Sequence, residues 1–389
     1  MVAWLAQNHE LRVVTTFPYY PEWKKKKGDG GFRYRKESLD EAVVIRCPHW
    51  VKGKMSALER VLHLSSFAIS SFPVLFWNML RWRPEVVYTV APTLLGVPMI
   101  LLLSKLLGIK TWVHVQDFEV EVMLGMSEKS SPKGGGWIGR LALSFEKWCL
   151  CSADRVSSIS PAMLEKLLEK GVAREDLRMF PNWVDLDYFK PASDELGIRN
   201  EFGYSSDDFI ILYAGNIGLK QGLDQLPELV KGCMDLPRIK FLIVGEGGYR
   251  ASLQEDLEFG VSSGKVRFLP LQPLDQLVRV MTLADIHLIL QKKEVKDLVL
   301  PSKLTTILSM GGNSIITSEI DSALGRMSEA HPGITTLLSP GDSGALLKAV
   351  QKLSTTRQVK PNKIARDYAE EFLGKPLILK RFEEDLKSL

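Results

Sequence analysis

Residues Tyr213–Leu223 read YAGNIGLKQGL, directly after the acid-to-apolar run DDFIIL. An apolar strand that ends in glycine, asparagine and lysine, then restarts as an amphipathic segment, is a strand-to-helix turn. Glycines at 215, 218 and 222 leave no Cβ between the backbone and a ligand. Free amides at the next helix start point toward an anion, and Lys220 adds a positive charge. The pattern returns at Phe241–Leu253, FLIVGEGGYRASL. GEGGYR is not a dinucleotide fingerprint, because Arg250 stands where G-x-G-x-x-G requires its third glycine. A third turn lies in Ala284–Gly311, ADIHLILQKKEVKDLVLPSKLTTILSMG. There an apolar strand gives way to a loop with three lysines and two acids, and a helix begins at Ser302, with Lys303 in its first turn. Taken one at a time, each turn is equally well a plain strand-to-helix connection. Three in succession point to a phosphate-bearing ligand.

Outward from these turns, strands and helices alternate in both directions, as parallel βαβ units require. Strand-like runs lie at Leu11–Thr16, Glu41–Arg46, Glu85–Val90, Lys110–Val115 and Asp154–Ile159, with helical stretches at Ala57–Trp82, Gly96–Leu107, Leu141–Leu150 and Pro161–Lys170. Trp23–Lys36 reads as a basic loop. The alternation breaks over Trp183–Tyr204, rich in Asp, Pro and Gly, and restarts at Ile210. We therefore expect an α/β protein of two Rossmann-like, doubly wound domains facing across a cleft: residues 1–190, residues 191–365, and a helical tail at 366–389. The chain opens on a helical stretch, VAWLAQNHE, so either the start lies inside a longer gene or the first domain lacks its first strand.

The 389 residues exceed what one core ordinarily organises. A net charge of +4 without a basic stripe gives no reason to expect nucleic acid. Four cysteines, two of them spaced C-x-C at Cys149 and Cys151, do not make a zinc site, and no metal is expected. Met1–Glu10 has neither a basic n-region nor an apolar core, so no signal peptide is read there. Val61–Leu80 carries no Asp, Glu, Lys or Arg and reaches the ~20 residues of a bilayer span. His63, four serines, Pro73 and Asn78 within it favour a buried or interface-lying helix. Lys24–Lys36, with Arg33 and Arg35, has the charge to meet anionic lipid, though a solvated basic loop reads the same way.

FPNWVDLDYFKP (Phe180–Pro191) resembles the interdomain segment of the GT4-type retaining glycosyltransferases, which have the GT-B fold. YAGNIGLKQGL, FLIVGEGGYRASL, VRFLPLQPLDQLVRVMTLADIHLIL and DLVLPSKL resemble that family's donor-binding half in order and spacing. PYYPEW and VHVQDFEVEVMLGM resemble its acceptor half, and the nearest subgroup is the colanic-acid and exopolysaccharide type. The resemblance implies retaining transfer of a sugar from a nucleotide diphosphate-sugar, a co-substrate rather than a cofactor, without metal. Mapped by motif, Gly215, Asn216, Gly218 and Lys220 would line the diphosphate, and Gly245, Glu246, Gly247 and Arg250 would border the nucleotide. Leu269 to Gln272 would pass along the base, while Asp297, Ser302 and Lys303 would reach the sugar and phosphates. His114 would hydrogen-bond the transferred sugar and Asp117 would orient the acceptor hydroxyl; the plainer readings are a satisfied core histidine and a turn residue. The implied acceptor is a polyprenyl-diphosphate-linked saccharide, with the enzyme cytoplasmic and peripheral on the inner membrane face.

The chain departs from that pattern in three places. Thr306 stands where many members carry a ribose-binding glutamate, Gln221 where a lysine often precedes the glycine, and the first strand with its glycine-rich loop is missing. These departures keep two other readings open: a non-catalytic relative that binds sugar nucleotide or a partner transferase, and a sugar-nucleotide epimerase.

Overall fold

A computed structural model describes residues 1–19, 24, 28–29, 33–53, 57–91, 94–118, 120, 136–192, 194–218, 221–292, 302–356 and 359–389. The chain divides into two units, Met1–Phe180 with Leu379–Leu389, and Pro181–Ile378.

The first unit holds β1 (Arg12–Thr16), β2 (Arg35–Leu39), β3 (Ala42–Cys47), β4 (Val86–Ala91), β5 (Lys110–Val115), β6 (Arg155–Ser158) and β7 (Leu177–Met179). Its helices are α1 (Val2–Leu5), α2 (Ala57–Arg81), α3 (Val97–Leu107), α4 (Gly136–Cys151) and α5 (Pro161–Glu169). β1 pairs parallel with β3, which pairs antiparallel with β2. β4, β5, β6 and β7 form a separate parallel sheet in that order. Among the described residues no strand joins β1 to β4, so the two sheets are separate. β2 arises where the sequence suggests loop. RKESL has no apolar alternation to announce it, and it forms an exposed edge because β3 offers it a pairing partner. β5, KTWVHV, is buried from Thr111 onward, as a strand covered on both faces must be.

The second unit holds β8 (Phe209–Ala214), β9 (Ile239–Val244), β10 (Val266–Leu269), β11 (Ile286–Ile289), β12 (Ser314–Thr317) and β13 (Thr336–Leu338). All pair in parallel in the order β10-β9-β8-β11-β12-β13. Its helices are α6 (Glu195–Glu201), α7 (Leu226–Gly232), α8 (Arg250–Asp256), α9 (Glu258–Ser262), α10 (Leu274–Leu283), α11 (Ser302–Ser309), α12 (Ala323–Ala330), α13 (Ser343–Thr356) and α14 (Lys363–Phe372). The period of two along β8 divides its side chains between two cores, with Ile210 and Leu212 on one face and Ile211 and Tyr213 on the other. The last helix, α15 (Lys375–Lys387), begins in the second unit and ends in the first. The unit boundary falls after Phe180, earlier than Pro191, because the segment beyond it is tied to the second unit. Val184 exchanges backbone hydrogen bonds with Leu373 and Lys375, and Leu186 and Phe189 pack on that unit's core.

The second unit also carries a buried charge network. Arg199 of α6 donates to Asp285 (2.8 Å) and Glu195 (2.9 Å), and Lys360 lies 3.2 Å from Asp285. The Asp285 carboxylate also accepts from the Ile210 amide at the start of β8. Arg199→Leu leaves the Asp285 carboxylate to Lys360 and the Ile210 amide alone, so we expect a loss of about 1–3 kcal/mol in unfolding free energy. An unshifted denaturant midpoint would show the pair to be dispensable.

Candidate active site

The strand order of the second unit brings three turns together. β9, β8 and β11 are neighbours, so the loops that leave their carboxyl ends share one edge. β8 and β11 flank the point where the winding reverses, which is where doubly wound sheets bind ligands. Gly215 follows β8 there, and α11, carrying Lys303, follows β11.

Lys303 is a cation at this edge with a defined seat. Its Nζ lies 4.5 Å from the centroid of the Tyr213 ring. A Cβ built on Gly215 would sit 3.8 Å from Lys303 Cδ. Tyr213, the fifth residue of β8, donates from its hydroxyl to the Asn216 carbonyl (2.7 Å). One buried ring thus supports both the lysine and the loop beside it. Sequence reasoning passes over Tyr213 because an aromatic inside a strand reads as core, which it also is. Gln291 is missed for a similar reason. It stands just beyond β11, beside Gly222, and its buried side-chain oxygen accepts no hydrogen bond among the described residues.

The other glycine turn has a different cause from the one suggested by its sequence. Gly245 has φ +143°, and a Cβ there would fall 1.9 Å from the Gly215 carbonyl oxygen. At Gly247 a Cβ would fall 2.2 Å from the Ile217 oxygen. The two loops are laced by Ile217 N–H donating to Glu246 C=O (2.8 Å) and Tyr249 N–H donating to Ile217 C=O (3.0 Å). These glycines therefore let one loop lie on the other. Arg250 caps the arrangement, donating to the Gly245 carbonyl (2.8 Å) and pairing with the exposed Glu246.

Asn216 is exposed and Gly218 half-buried in the first turn. Leu269 closes β10 and packs on the core, and Gln272 donates to the Pro270 carbonyl. Ser302 opens α11 as its first helical residue, and Thr306 lies one turn on, half-buried, its carbonyl accepting from the Ser309 hydroxyl (2.8 Å). Lys220 and Asp297 lie outside the described residues.

In the first unit, Asp117 follows β5 and is exposed; partial desolvation raises its carboxyl above the usual range. His114, expected to face the crevice, is instead enclosed. It is 2% exposed, sits among Tyr88 and Phe180, and shares a 2.8 Å hydrogen bond with the Ser157 hydroxyl. Its place inside β5, rather than at the strand's end, turns the ring into the aromatic core. Among the described residues no three His, Cys, Asp or Glu side chains converge as a metal site.

Burial sets a pH response. It pushes His114 down to about 4, and burial together with the Lys360 charge pushes His287 of β11 down to about 3. Unfolded histidine titrates near 6.5, so as pH falls the unfolded chain takes up the proton first. This stability is full above pH ~6.5 and erodes below it by about 1.4 kcal/mol per pH unit for each histidine until the folded group protonates. Denaturant midpoints between pH ~6.5 and ~5 should fall accordingly. His114→Gln should flatten the slope for the first unit; an unchanged slope refutes the assignment.

Comparison with known proteins settles the family. The Glycosyl transferase 4-like domain matches residues 1–183, and Glycosyl transferases group 1 matches residues 195–371. A protein of Escherichia coli K12 named as a colanic acid biosynthesis glycosyl transferase, WcaI, is 42% identical over 390 aligned residues, covering 100% of this chain and 94% of the relative. The chain belongs to this glycosyltransferase family. Sucrose-phosphate synthase of Thermosynechococcus elongatus shares the glycosyltransferase's fold, with TM-score 0.70 at 16% identity over 99% of this chain and 90% of that one. WaaG, a glycosyltransferase involved in lipopolysaccharide biosynthesis, gives 0.63 at 14% identity over 97% and 91%. Anabaena HepE, solved in complex with UDP-glucose, gives 0.62 at 16% identity over 85% and 84%. The expected GT-B architecture is thus the observed one.

Proposed function

We propose that this glycosyltransferase moves a sugar, with retention and without metal, from a nucleoside diphosphate-sugar to a lipid-linked saccharide during assembly of a colanic-acid-type exopolysaccharide. The observation that carries the reading is the Lys303 ammonium, seated on Tyr213 at the first turn of α11 beside the Gly215 turn. As the bond between the anomeric carbon and the phosphate oxygen breaks, the diphosphate gains negative charge. A fixed cation and helix-start amides stabilise that charge where it develops. The acceptor oxygen bonds to the anomeric carbon on the same face, and its proton passes to the leaving phosphate. Asp117 orients the acceptor hydroxyl. His114, being enclosed, supports β5 rather than hydrogen-bonding the transferred sugar. The donor base is uracil on the analogy of HepE, and WcaI suggests the pathway. The enzyme works at the cytoplasmic face of the membrane, with Val61–Leu80 and the Lys24–Lys36 loop toward the lipid.

A panel of nucleoside diphosphate-sugars, scored by nucleotide release with and without lipid-linked acceptor, tests this. Acceptor-dependent release that persists in EDTA is the expected result. Donor turnover without acceptor would indicate an epimerase, and tight donor binding without turnover a non-catalytic relative. Calorimetry showing no heat with any nucleoside diphosphate removes the reading.

A further inference from the structure

The helices α2, α3 and α4 of the first unit wear their polarity the wrong way round. α2 turns His63, Ser71 and Met79 inward and leaves Leu62, Ile69, Phe72 and Trp77 exposed, Ile69 by 74%. Leu58, Leu62, Ile69, Phe72, Phe76 and Leu80, all exposed, fall three, four or seven residues apart, so they form one stripe along the helix. α3 packs beside α2 and α4 beside α3. Each continues the feature, with Leu106 of α3 exposed by 72% and Trp137 of α4 by 70%. A soluble monomer rarely shows apolar surface on three adjacent helices unless something covers it.

Charge identifies what covers it. The three helices carry two acids, and both are already paired: Glu59 with Lys52 (2.6 Å) and the buried Glu146 with Lys170 (2.5 Å). Arg60, Arg81, Lys105, Arg140 and Lys147 are exposed on the same helices. Arg81 lies 4.8 Å over the Trp77 ring, an amphipathic pair suited to the headgroup level. Apolar stripes on helices whose exposed cations pair with no acid among the described residues match an anionic lipid surface.

By length and composition α2 passes for a membrane span. Its inward side argues otherwise. His63 bonds to the Trp50 carbonyl (2.5 Å), and Asn78 accepts from Arg12 (3.0 Å) and donates to the Val74 carbonyl. α2 also packs on β1 and β3. Threading it across a bilayer would break the contacts with Trp50, Arg12, β1 and β3 and place His63 and Asn78 in hydrocarbon.

We propose that α2, α3 and α4 together form one docking face that lies in the headgroup layer of an anionic bilayer. This extends the membrane contact proposed above from one helix to three and rests on that reading, but its test needs no catalysis. The full chain is sedimented with vesicles of phosphatidylethanolamine and phosphatidylglycerol, and separately with phosphatidylcholine alone. The expected result is cosedimentation with the anionic vesicles, weakened by salt and extracted by alkaline carbonate. Leu106→Glu on α3 and Trp137→Glu on α4 should each weaken binding by about tenfold. Both positions are exposed, so the circular dichroism spectrum should stay that of the parent chain. Parent-like binding by both variants would reduce the face to α2 and overturn the proposal. So would a chain that stays in the supernatant and dimerises through this surface, or one that resists carbonate as a span does. Turnover on a detergent-solubilised acceptor with no vesicle binding sinks the docking face and leaves sugar transfer standing.

Discussion

Lys303→Ala is expected to lower kcat/KM for the nucleotide-sugar by about 10²–10³-fold. The effect should be large on the reading proposed above, in which this ammonium meets the leaving diphosphate. Its long side chain passes Gly215 and ends 4.5 Å from the Tyr213 ring centroid. A cation over an aromatic face gains about 0.5–2 kcal/mol and loses rotamer freedom, so little reorganisation remains when charge develops on the diphosphate. The α11 dipole survives in the variant, which is why some turnover should remain. Both kcat and the calorimetric affinity for the nucleoside diphosphate should fall, with the denaturant midpoint nearly unmoved. Turnover equal to the parent enzyme would show that the anion sits elsewhere.

Gly245→Ala should damage both fold and site, and Gly248→Ala should damage neither. At Gly245 a methyl would meet the Gly215 oxygen at 1.9 Å from a backbone held at φ +143°. Neither atom can yield cheaply. Gly215 N–H is bonded to Val244 and Gly245 N–H to Leu269, so the clash must push whole loops apart. We expect a loss of about 2–3 kcal/mol in stability and donor affinity down by at least about tenfold. At Gly248 a Cβ meets nothing within 4 Å, and the change should stay within about 0.5 kcal/mol. Equal midpoints and equal donor affinities for the two variants would mean that the loop-on-loop contact carries no weight.

How far the site is legible differs from residue to residue. Lys303 is legible because a lysine in a helix's first turn after an apolar strand is a local pattern. Tyr213 is not, because its second role depends on α11 arriving beside β8 from ninety positions further along the chain. His114 misleads because VHVQD shows a strand ending in polar residues without showing where the strand stops. The ring lies one residue inside the end of β5, among aromatics contributed by β4, Phe180 and α15. β2 escapes notice because an edge strand of polar residues owes its form to its partner.

Local alternation of strand and helix, glycines at strand ends and an ordered set of turns sufficed to indicate a chain of two α/β domains, since each signal spans only a few neighbouring residues, and the resemblance of its motifs to the GT4-type glycosyltransferases added the GT-B expectation. What the glycines at 245 and 247 touch, which ring carries Lys303, and which way α2 shows its apolar side depended on contacts between segments far apart in the chain. Hydrophobicity states that a side chain avoids water, and packing alone chooses the surface it meets.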